Sequence, residues 1–526
     1  MHDPLDRRVH WERAAQEDRV YDVIIIGGGA SGIGVAIDAA SRGYSVLLLE
    51  RHDFGKGTSS RSTKLIHGGV RYLQQGNIKL VQESLEERSR LLRNAGHLVQ
   101  PLEFILPCEN RWQGFYYGAG MKAYDLLARD RSFPSSRMLG AEEVARKIPS
   151  VARRSYRSGI SYYDGQFDDT RLLISMAQTA AELGAVLLNR ATVHELIQSQ
   201  NGPVEGVVFH DGLSEKMIRV QGRCVINATG PFCDAVRRMD DRDAQPLVAA
   251  SQGIHLVVPK TLFEGETALI VPKTRDGRVV FIIPWHDSVV IGTTDTANTK
   301  IDEEPKPMEG EIDFLIETAN GYLERPLSRS DCTSVFTGIR PLVMKSAHVA
   351  TKSLARDHTL QVSSSRLITL TGGKWTTYRK MAEDCVDRAI QVHGWKPVPS
   401  RTAELRLHGS SPNTLPGRVA FPRVYGTDQE ILNQWVDEHP EWGVPLRANC
   451  PLRPVEVVWA VRKEWATSIE DVLARRTRIL FLDVQMAKSI ARDVAKILAT
   501  ELQRPDSWIE EELHSFLKVA SAFEVS

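Results

Sequence analysis

The sequence lacks net charge, cysteine pairs and long apolar runs. Its 526 residues carry 66 basic and 66 acidic side chains, so nothing global favours nucleic acid or an acidic surface as a partner. Six scattered cysteines form no C-x-x-C pair or metal-ligand spacing, which fits a reducing, cytosolic setting. The polar N-terminus does not resemble a signal peptide, and no run of about 18 apolar residues predicts a spanning helix. The length instead predicts two or three domains.

A dinucleotide-binding unit begins the regular pattern of the chain. Residues 21–26 form an unbroken β-branched apolar run, followed at once by a glycine turn of the form G-x-G-x-x-G. The first glycine permits the tight bend, the second lets the backbone touch a pyrophosphate, and the third lets the helix pack on the strand. A helix to about Arg42 and a strand at 45–49 lead to an acid placed for the ribose hydroxyls. The predicted contacts to an adenine dinucleotide are Gly27, Gly29, Ala30, Ser31, Gly32 and Glu50.

A polar, glycine-rich loop at residues 51–69 directly follows this unit. Its backbone N–H groups, together with serine and threonine hydroxyls, suit a diphosphate or the edge of a flavin. A plain solvated loop is the alternative, and His67 is either a flavin neighbour or a partner in a loop hydrogen bond. The predicted cofactor contacts here are Thr58, Ser59, Ser60, Lys64, Leu65, His67, Gly68 and Gly69.

Two later segments of the chain are also predicted to contact the nucleotide. A buried strand over 224–230 ends in small residues, and a strand at 367–371 leads through a glycine pair into a helix from about residue 375. Between them, residues 247–343 alternate as short strands and predict an inserted antiparallel sheet. The predicted cofactor contacts from the returning segments are Ala228, Gly230 and Gly373.

These patterns divide the chain into a discontinuous nucleotide-binding domain, a cap and a C-terminal domain. The C-terminal part has helical period and follows a proline-bearing linker. The predicted boundaries are 1–19 for a polar N-terminal extension, 20–95, 155–240 and 350–393 for the nucleotide-binding domain, 96–154 and 241–349 for the substrate-binding cap, 394–418 for the linker, and 419–526 for the helical domain.

Six motifs occur in one order between about residues 20 and 390. They are the glycine fingerprint ending in Glu50 and the segments 58–69, 227–230, 292–295, 338–342 and 372–379. Together they resemble the bacterial FAD-dependent glycerol-3-phosphate dehydrogenases of aerobic respiration, and residues 461–466 and 473–478 look like the helical C-terminal domain of that family. The resemblance implies an α/β fold. It consists of a Rossmann-type FAD-binding domain of the glycine-oxidase-like flavoprotein class, an antiparallel-sheet substrate domain and an α-helical C-terminal domain.

The resemblance also implies a reaction and its residues. It implies that sn-glycerol 3-phosphate is oxidised to dihydroxyacetone phosphate by hydride transfer to FAD. The electrons then pass to a membrane quinone from a protein held peripherally at the cytoplasmic face of the cell membrane. Planar guanidinium groups suit the substrate phosphate because they bind its oxygens in bidentate fashion. The implied substrate contacts are Arg71, Tyr72, His255, Arg340, Arg356 and Lys374, and the further cofactor contacts are Thr294, Asp295, Lys374 and Thr376.

The oxidation needs a base for the proton of the C2 hydroxyl and a positive group beside the developing alkoxide. His255 is the expected base, although a lone histidine on a strand is more often structural. Lys374 and Arg340 are expected to hold the oxyanion or to offset the charge of the reduced flavin. These three residues form the predicted catalytic set.

An aromatic stretch at residues 112–127 is bounded by basic side chains. It is either an interfacial segment that reaches a lipid surface or a buried helix of the cap. We expect glycerol 3-phosphate, a membrane quinone and lipid as partners, and we expect no nucleic acid and no metal. Monomer and homodimer are both left open.

Four other functions are compatible with the nucleotide-binding unit. An amino-acid or sarcosine oxidase of the same fold would not need the three arginines of the phosphate-binding set. A flavin-dependent tRNA-modifying protein would show a basic surface, and a non-catalytic flavin scaffold would not need the substrate-side residues. The main alternative is an oxygen-using glycerol-3-phosphate oxidase, although such oxidases usually carry an insertion that this sequence does not show.

Overall fold

Two β-sheets and a helical C-terminal region make up the computed structural model, which describes residues 3–69, 77–128, 133–199, 202–272, 274, 277–298, 300–344, 358–412 and 423–525. The strands are β1 Val20–Ile26, β2 Val46–Leu49, β3 Leu65–Ile66, β4 Val99–Cys108, β5 Arg137–Gly140, β6 Ser158–Phe167, β7 Val186–Leu188, β8 Ala191–Gln198, β9 Val204–Asp211, β10 Lys216–Asn227, β11 Val248–Pro259, β12 Ala268–Val271, β13 Val280–Trp285, β14 Ser288–Gly292, β15 Thr296–Ala297, β16 Ser334–Val343, β17 His358–Val362 and β18 Ile368–Gly372.

The α-helices are α1 Arg7–Ala14, α2 Ala30–Ser41, α3 Ile78–Asn94, α4 Arg111–Leu127, α5 Ala141–Lys147, α6 Asp169–Glu182, α7 Cys233–Asp240, α8 Glu309–Asn320, α9 Tyr378–His393, α10 Gln429–Glu438, α11 Pro454–Glu464, α12 Ile479–Leu482, α13 Val484–Glu501 and α14 Asp506–Ala520. A π-helical turn, Asp471–Arg476, precedes α12.

The first sheet carries the dinucleotide-binding unit. Its order is β17, β18, β10, β1, β2, β7, with the hairpin of β8 and β9 paired to β10, and the strands from β18 to β7 run parallel. Parallel strands are covered on both faces, which explains the continuous apolar runs of β1 and β2. Ile25 and Leu48 are completely buried, and α2, α6 and α9 pack into the same core. This arrangement confirms the Rossmann-type prediction.

Helix α1 covers the edge of this sheet at β7. Nδ1 of His10 accepts the N–H of Leu187 at 3.2 Å, and the guanidinium of Arg7 donates to the carbonyl oxygen of Asn189 at 2.7 Å. An unpaired strand edge is a template for association with other chains. The polar N-terminal extension therefore shields this edge.

The second sheet has the order β15, β11, β14, β13, β12, β4, β6, β3, with β16 paired to β11 and β5 to β6. Its strand pairs are antiparallel except that β12 runs parallel to β4. Strand β6 pairs along its whole length with β4, from Phe167 opposite Val99 to Ser158 opposite Cys108. This strand therefore belongs to the second sheet, whereas the predicted boundary at 155 places it in the nucleotide-binding domain.

The C-terminal helices pack against both sheets. Trp459 of α11 joins the apolar core of the first sheet, while Phe481 of α12 shares a core with Phe336 of β16. Leu407, within the predicted linker 394–418, is buried in the core of the first sheet. The described part of that linker is therefore packed chain and not a free spacer.

Candidate active site

A cavity of about 290 Å³ opens at the carboxyl ends of the parallel strands β1, β2, β10 and β18. Open α/β sheets bind ligands at this edge. The predicted cofactor contacts that line the cavity are Gly27, Gly29, Ala30, Ser31, Glu50, Thr58, Ser59, Ala228, Gly230, Gly373 and Lys374. The sequence therefore identified segments from all four strand ends that surround it.

The glycine turn after β1 brings α2 close to the neighbouring strands. Gly27 has a φ of +109°, and a Cβ atom there would lie 2.7 Å from the carbonyl oxygen of Ala228. A Cβ atom at Gly32 would overlap the carbonyl oxygen of Gly27. The close packing of helix on strand therefore needs glycine at both positions. Gly29 and Ala30, at the helix N-terminus, line the cavity.

Glu50 follows β2 with both carboxylate oxygens hydrogen-bonded. Oε2 accepts the N–H of Gly28 at 2.7 Å, and Oε1 accepts the N–H of His52 at 2.8 Å. Burial raises the pKa of this carboxyl group, and the two N–H donors oppose that rise. Each carboxylate oxygen can accept a further hydrogen bond. The position therefore fits the predicted contact with ribose hydroxyls.

The loop after β2 forms one wall of the cavity. The N–H of Gly55 donates to the carbonyl oxygen of Gly28 at 3.0 Å, and Oγ of Ser59 accepts the N–H of Ala30 at 3.0 Å. The indole N–H of Trp375 donates to the carbonyl oxygen of Ser59 at 2.8 Å. The loop is thus a fixed part of the site, which excludes the alternative of a plain solvated loop.

Arginines of the C-terminal region hold the same loop from behind. Asp53, which is fully buried, accepts Nη1 and Nη2 of Arg476 at 2.7 and 2.9 Å and also pairs with Arg475. Nη2 of Arg478 donates to the carbonyl oxygen of Ser60 at 3.0 Å. Sequence reasoning found no functional cluster in this region. The available signal was three arginines within four residues of a helical, largely apolar pattern.

Lys64 lies behind the loop and does not line the cavity. Its ammonium group donates to Oδ2 of Asp169 at 2.7 Å and to the carbonyl oxygen of Ser60 at 2.8 Å, and it lies 4.8 Å from the ring centroid of Phe336. Burial lowers the pKa of Lys64 to about 7, against the opposing effect of Asp169. The side chain supports the loop, and its predicted contact with the cofactor gains no support from this geometry.

Other predicted contacts also lie away from the cavity. The N–H of His67 donates to Oγ1 of Thr376 at 3.3 Å, and Oγ1 of Thr294 donates to Glu311 of α8 at 2.7 Å. The predicted cofactor contacts that do not line the cavity are Gly32, Ser60, Lys64, Leu65, His67, Gly68, Gly69, Thr294, Asp295 and Thr376. The predicted substrate contacts Arg71, Tyr72 and Arg356 lie outside the described residues.

His255 places its imidazole on one face of the second sheet. It lies opposite Phe336 of β16, and the two rings stack with centroids 4.7 Å apart. Nε2 is hydrogen-bonded to Oγ1 of Thr63 at 2.9 Å, and Nδ1 has no hydrogen-bond partner among the described residues. Burial, followed by the charges of Lys64 and Arg340, holds the pKa of His255 well below its usual value. The imidazole is therefore neutral at neutral pH and able to accept a proton.

Arg340, on β16, extends its guanidinium over the same face. Nη2 donates to Oγ1 of Thr293 at 2.9 Å, and Nη1 donates to the carbonyl oxygen of Gln252 at 3.4 Å. Nη1 also lies 3.7 Å from the carboxylate of Asp295. The next residue, Pro341, lines the cavity. Arg340 therefore stands where the second sheet meets the cofactor cavity.

One loop connects the cavity with this sheet face. Thr58 lines the cavity and donates its hydroxyl to the carbonyl oxygen of Ile339 at 2.6 Å. Five residues later, Thr63 contacts His255. Lys374 enters the cavity lining from the turn after β18. Lys374 thus lies in the cavity lining, whereas His255 and Arg340 lie on the sheet face and are linked to the cavity through the loop at Thr63 and through Pro341.

These features fit FAD. A helix N-terminus free of side chains at Gly29 suits a diphosphate, and Glu50 suits the ribose of the adenosine half. Ser59 and Lys374 also line the cavity, and the loop that carries Ser59 continues to Thr63, which contacts His255. The cavity can therefore hold a dinucleotide.

Helix α4 presents aromatic side chains to solvent. Trp112, Phe115 and Leu126 are 82%, 70% and 82% exposed and share one helical face. The helix is therefore not wholly buried in the cap, although Met121 and Tyr124 of the same stretch are buried. On the other side of the helix, the hydroxyl of Tyr124 accepts the N–H of Gly68 at 2.9 Å. No helix in the described part of the chain has the length and hydropathy needed to cross a bilayer.

Comparisons with known proteins agree with this geometry. A family model described as FAD dependent oxidoreductase matches residues 22–379, and one described as the C-terminal domain of alpha-glycerophosphate oxidase matches residues 365–509. A mitochondrial glycerol-3-phosphate dehydrogenase of Arabidopsis thaliana is 39% identical over 554 residues, which cover 98% of this chain and 88% of that protein.

Two solved structures extend the comparison. The glycerol-3-phosphate dehydrogenase from Bacillus halodurans, complexed with FAD, has a TM-score of 0.76 and 26% identity and covers 99% of this chain and 98% of its own. A glycine oxidase from Geobacillus kaustophilus has a TM-score of 0.51 and 19% identity over 73% of this chain and 98% of its own, and it shows the shared fold alone. The predicted fold class and the predicted FAD cofactor are confirmed. The chain belongs to the FAD-dependent oxidoreductases and, among them, to the glycerol-3-phosphate dehydrogenase family.

Proposed function

We propose that this chain oxidises sn-glycerol 3-phosphate to dihydroxyacetone phosphate and passes the electrons to a membrane quinone. The observation that carries the proposal is that one loop lines the FAD cavity with Thr58 and binds His255 with Thr63. The relatives from Arabidopsis thaliana and Bacillus halodurans are both named glycerol-3-phosphate dehydrogenases. Bound FAD supplies the hydride acceptor.

His255 takes the proton of the C2 hydroxyl. The group must be neutral before the reaction, and burial together with nearby positive charge keeps it so. Stacking on Phe336 and the hydrogen bond to Thr63 fix the plane of the ring. A base held in one orientation beside the cofactor loses little entropy in reaching the substrate.

Arg340 and Lys374 supply positive charge to the substrate. The guanidinium of Arg340 has its plane set by Thr293 and Gln252 and suits a phosphate or a developing oxyanion. Lys374 lines the cavity from the turn after β18. Arg71, Tyr72 and Arg356 complete the substrate contacts in this proposal, on the basis of the family motifs alone.

Oxygen is the second candidate for the electron acceptor. It is favoured by the match of residues 365–509 to a family model named after alpha-glycerophosphate oxidase. A quinone is preferred because α4 exposes a contiguous aromatic surface, and an acceptor dissolved in lipid requires contact with a bilayer. Peripheral attachment at the cytoplasmic face of a membrane is therefore part of the proposal.

The substrate is tested by anaerobic mixing of the yellow holoenzyme with glycerol 3-phosphate, glycerol or sarcosine in a stopped-flow instrument. Rapid bleaching of the flavin is expected with glycerol 3-phosphate, and much slower bleaching with glycerol because the phosphate contacts are missing. Faster reduction by sarcosine than by glycerol 3-phosphate would assign the chain to the amino-acid oxidases of the same fold.

The membrane contact is tested on the aromatic surface of α4, defined as Trp112, Phe115, Tyr116 and Leu126. Changing the first three to serine should abolish flotation with vesicles of phosphatidylethanolamine and phosphatidylglycerol, while reduction of a soluble dye continues. The matched control changes three exposed apolar residues of the C-terminal region, namely Ile431, Val444 and Leu517, to serine. If the two triple variants float with the vesicles to the same extent, the lipid contact does not lie on the aromatic surface of α4.

A further inference from the structure

Two glycines lie beside the two side chains to which the chemistry is assigned. Gly292, the last residue of β14, is paired with His255 across the strands β11 and β14. Gly253 precedes His255 by two residues on β11, so both face the same side of the sheet as the guanidinium of Arg340. Neither glycine has a positive φ. A left-handed backbone therefore does not explain glycine at either position, and the steric argument rests on the missing side chain.

Gly292 leaves room for the imidazole of His255. A Cβ atom at this position would lie 2.8 Å from both Cγ and Nε2 of His255, and closer still to Cδ2. In real proteins Cβ atoms essentially never come within 3.0 Å of a non-bonded heavy atom. The ring cannot move away freely, because Phe336 stacks on it and Thr63 binds its Nε2. A methyl group would therefore force the imidazole out of its present plane.

Gly253 leaves room for the guanidinium group of Arg340. A Cβ atom there would lie 2.6 Å from Nη1 of Arg340 and 2.7 Å from Oγ1 of Thr293, and closer still to Nη2. The guanidinium thus lies flat against the backbone of β11, where Thr293 and the carbonyl oxygen of Gln252 bind it. A methyl group would lift it off the strand and break the contact with Thr293.

We propose that Gly253 and Gly292 are positioning residues, which set the planes of the Arg340 guanidinium and the His255 imidazole by leaving the space that a side chain would fill. The inference rests on the proposed function for its catalytic consequence, and on the strand geometry alone for its steric part. It assigns separate effects to the two glycines. Gly292 acts on the proton acceptor, and Gly253 acts on the cation that binds the substrate.

The catalytic part is tested by Gly292→Ala and Gly253→Ala, with Gly310→Ala as the matched control. Gly310 lies exposed on α8, and a Cβ atom there would meet nothing within 4 Å. Misplacing a reacting group costs roughly 10- to 100-fold in rate. Gly292→Ala should slow flavin reduction at saturating glycerol 3-phosphate by that factor, while Gly253→Ala should mainly raise the substrate concentration for half-maximal reduction. FAD content should equal that of the parent and of Gly310→Ala.

Double variants separate positioning from a general structural effect. Because Gly292 acts through His255, adding Gly292→Ala to His255→Asn should slow flavin reduction no further, and the same holds for Gly253→Ala added to Arg340→Ala. Losses that multiply would overturn the proposal. So would a Gly292→Ala variant with the parental rate, or a Gly253→Ala variant with the parental substrate concentration for half-maximal reduction.

The steric part has a test that needs no substrate. Gly292→Ala should lower the urea midpoint of the parent, but not that of His255→Ala, in which the imidazole is absent. Equal shifts in both backgrounds would show that the methyl group meets something other than His255 and would overturn the inference. Failure of glycerol 3-phosphate to reduce the parent flavin would instead refute the proposed function, with the urea comparison still deciding the steric claim.

Discussion

Oγ1 of Thr63 lies 2.9 Å from Nε2 of His255 and joins the loop of the FAD cavity to the face of the second sheet. The two residues are 192 positions apart in the chain. The contact fixes the imidazole relative to the cofactor cavity, because Thr58 of the same loop lines that cavity. In the proposed reaction, this contact would hold the proton acceptor in a fixed position relative to the FAD cavity.

Removing this hydroxyl should impair catalysis without releasing FAD. Thr63→Ala is expected to slow flavin reduction by glycerol 3-phosphate about 10-fold or more, since a loosely held base loses much of its orientation. Thr63→Ser keeps a hydroxyl and should stay close to the parent. Stopped-flow reduction of the two variants at equal FAD content makes the comparison. If both lose the same rate, the methyl group of Thr63 matters and the hydrogen bond does not.

The buried carboxylate of Asp53 should be a main support of the fold. Its two arginine partners have no solvent to replace it, and breaking a buried ion pair on one side costs about 3–5 kcal/mol. Asp53→Asn should therefore lower the free energy of unfolding by about that amount and loosen FAD. Asp313→Asn, which removes an exposed partner of Arg329, should produce no measurable change. Urea unfolding of both variants, followed by flavin fluorescence, checks the difference.

Glu303 bridges the rim of the FAD cavity and should slow the escape of the cofactor. Its carboxylate binds Arg51 at 2.7 Å and Nε2 of His52 at 2.9 Å, and all three residues line the cavity. Because the three side chains are partly exposed, Glu303→Gln should speed FAD release only a few-fold at low ionic strength. The difference should disappear in about 1 M salt, where the Debye length falls to about 3 Å. A difference independent of salt would argue against an ionic contact.

The stability of the protein should depend on the ionisation of His408. Burial lowers the pKa of this imidazole, but hydrogen bonds and ion pairs to Asp428 and Glu182 outweigh burial and raise the pKa to about 10. A group whose pKa is raised on folding stabilises the folded state fully below its unfolded pKa, near 6.5, and loses that contribution as pH rises through the folded pKa. The parent should therefore lose stability between about pH 6.5 and 10.

His408→Gln should be less stable than the parent at pH 6 and should lack this dependence. Urea unfolding at several pH values measures how the free energy of unfolding of each protein changes with pH. Parallel slopes in parent and variant would assign the pH dependence to other groups.

Sequence patterns predicted those features of the fold and the site that depend on residues close together in the chain. The strand runs, the glycines at 27 and 32 and the acid at Glu50 were predictable, because each follows from a turn or a strand end whose requirements are known. The FAD cavity is built from these segments. Residues of the loop were predicted as a group, and for that reason Lys64 was assigned to the cavity, although its ammonium group binds Asp169 behind the loop.

Long-range contacts could not be predicted in this way. Nothing in the neighbourhood of Asp53 indicates that Arg475 and Arg476 reach it from more than 400 residues away. The role of Thr63 depends on how the second sheet lies against the first, and a strand pattern does not determine that relation. The space at Gly253 and Gly292 is likewise visible only once the neighbouring strands are paired.

The most direct test of the account is single-turnover reduction of the flavin in His255→Asn across pH. The parent rate should rise through one ionisation below pH 6.5, since burial and the nearby cations lower the pKa of His255 below that value. The variant should reduce flavin roughly 10²- to 10⁴-fold more slowly, which is the usual contribution of a positioned base. Its rate should not show the rise through this ionisation. The concentration of glycerol 3-phosphate needed for half-maximal reduction should change much less. A variant that keeps both the parental rate and the parental pH profile would contradict the account.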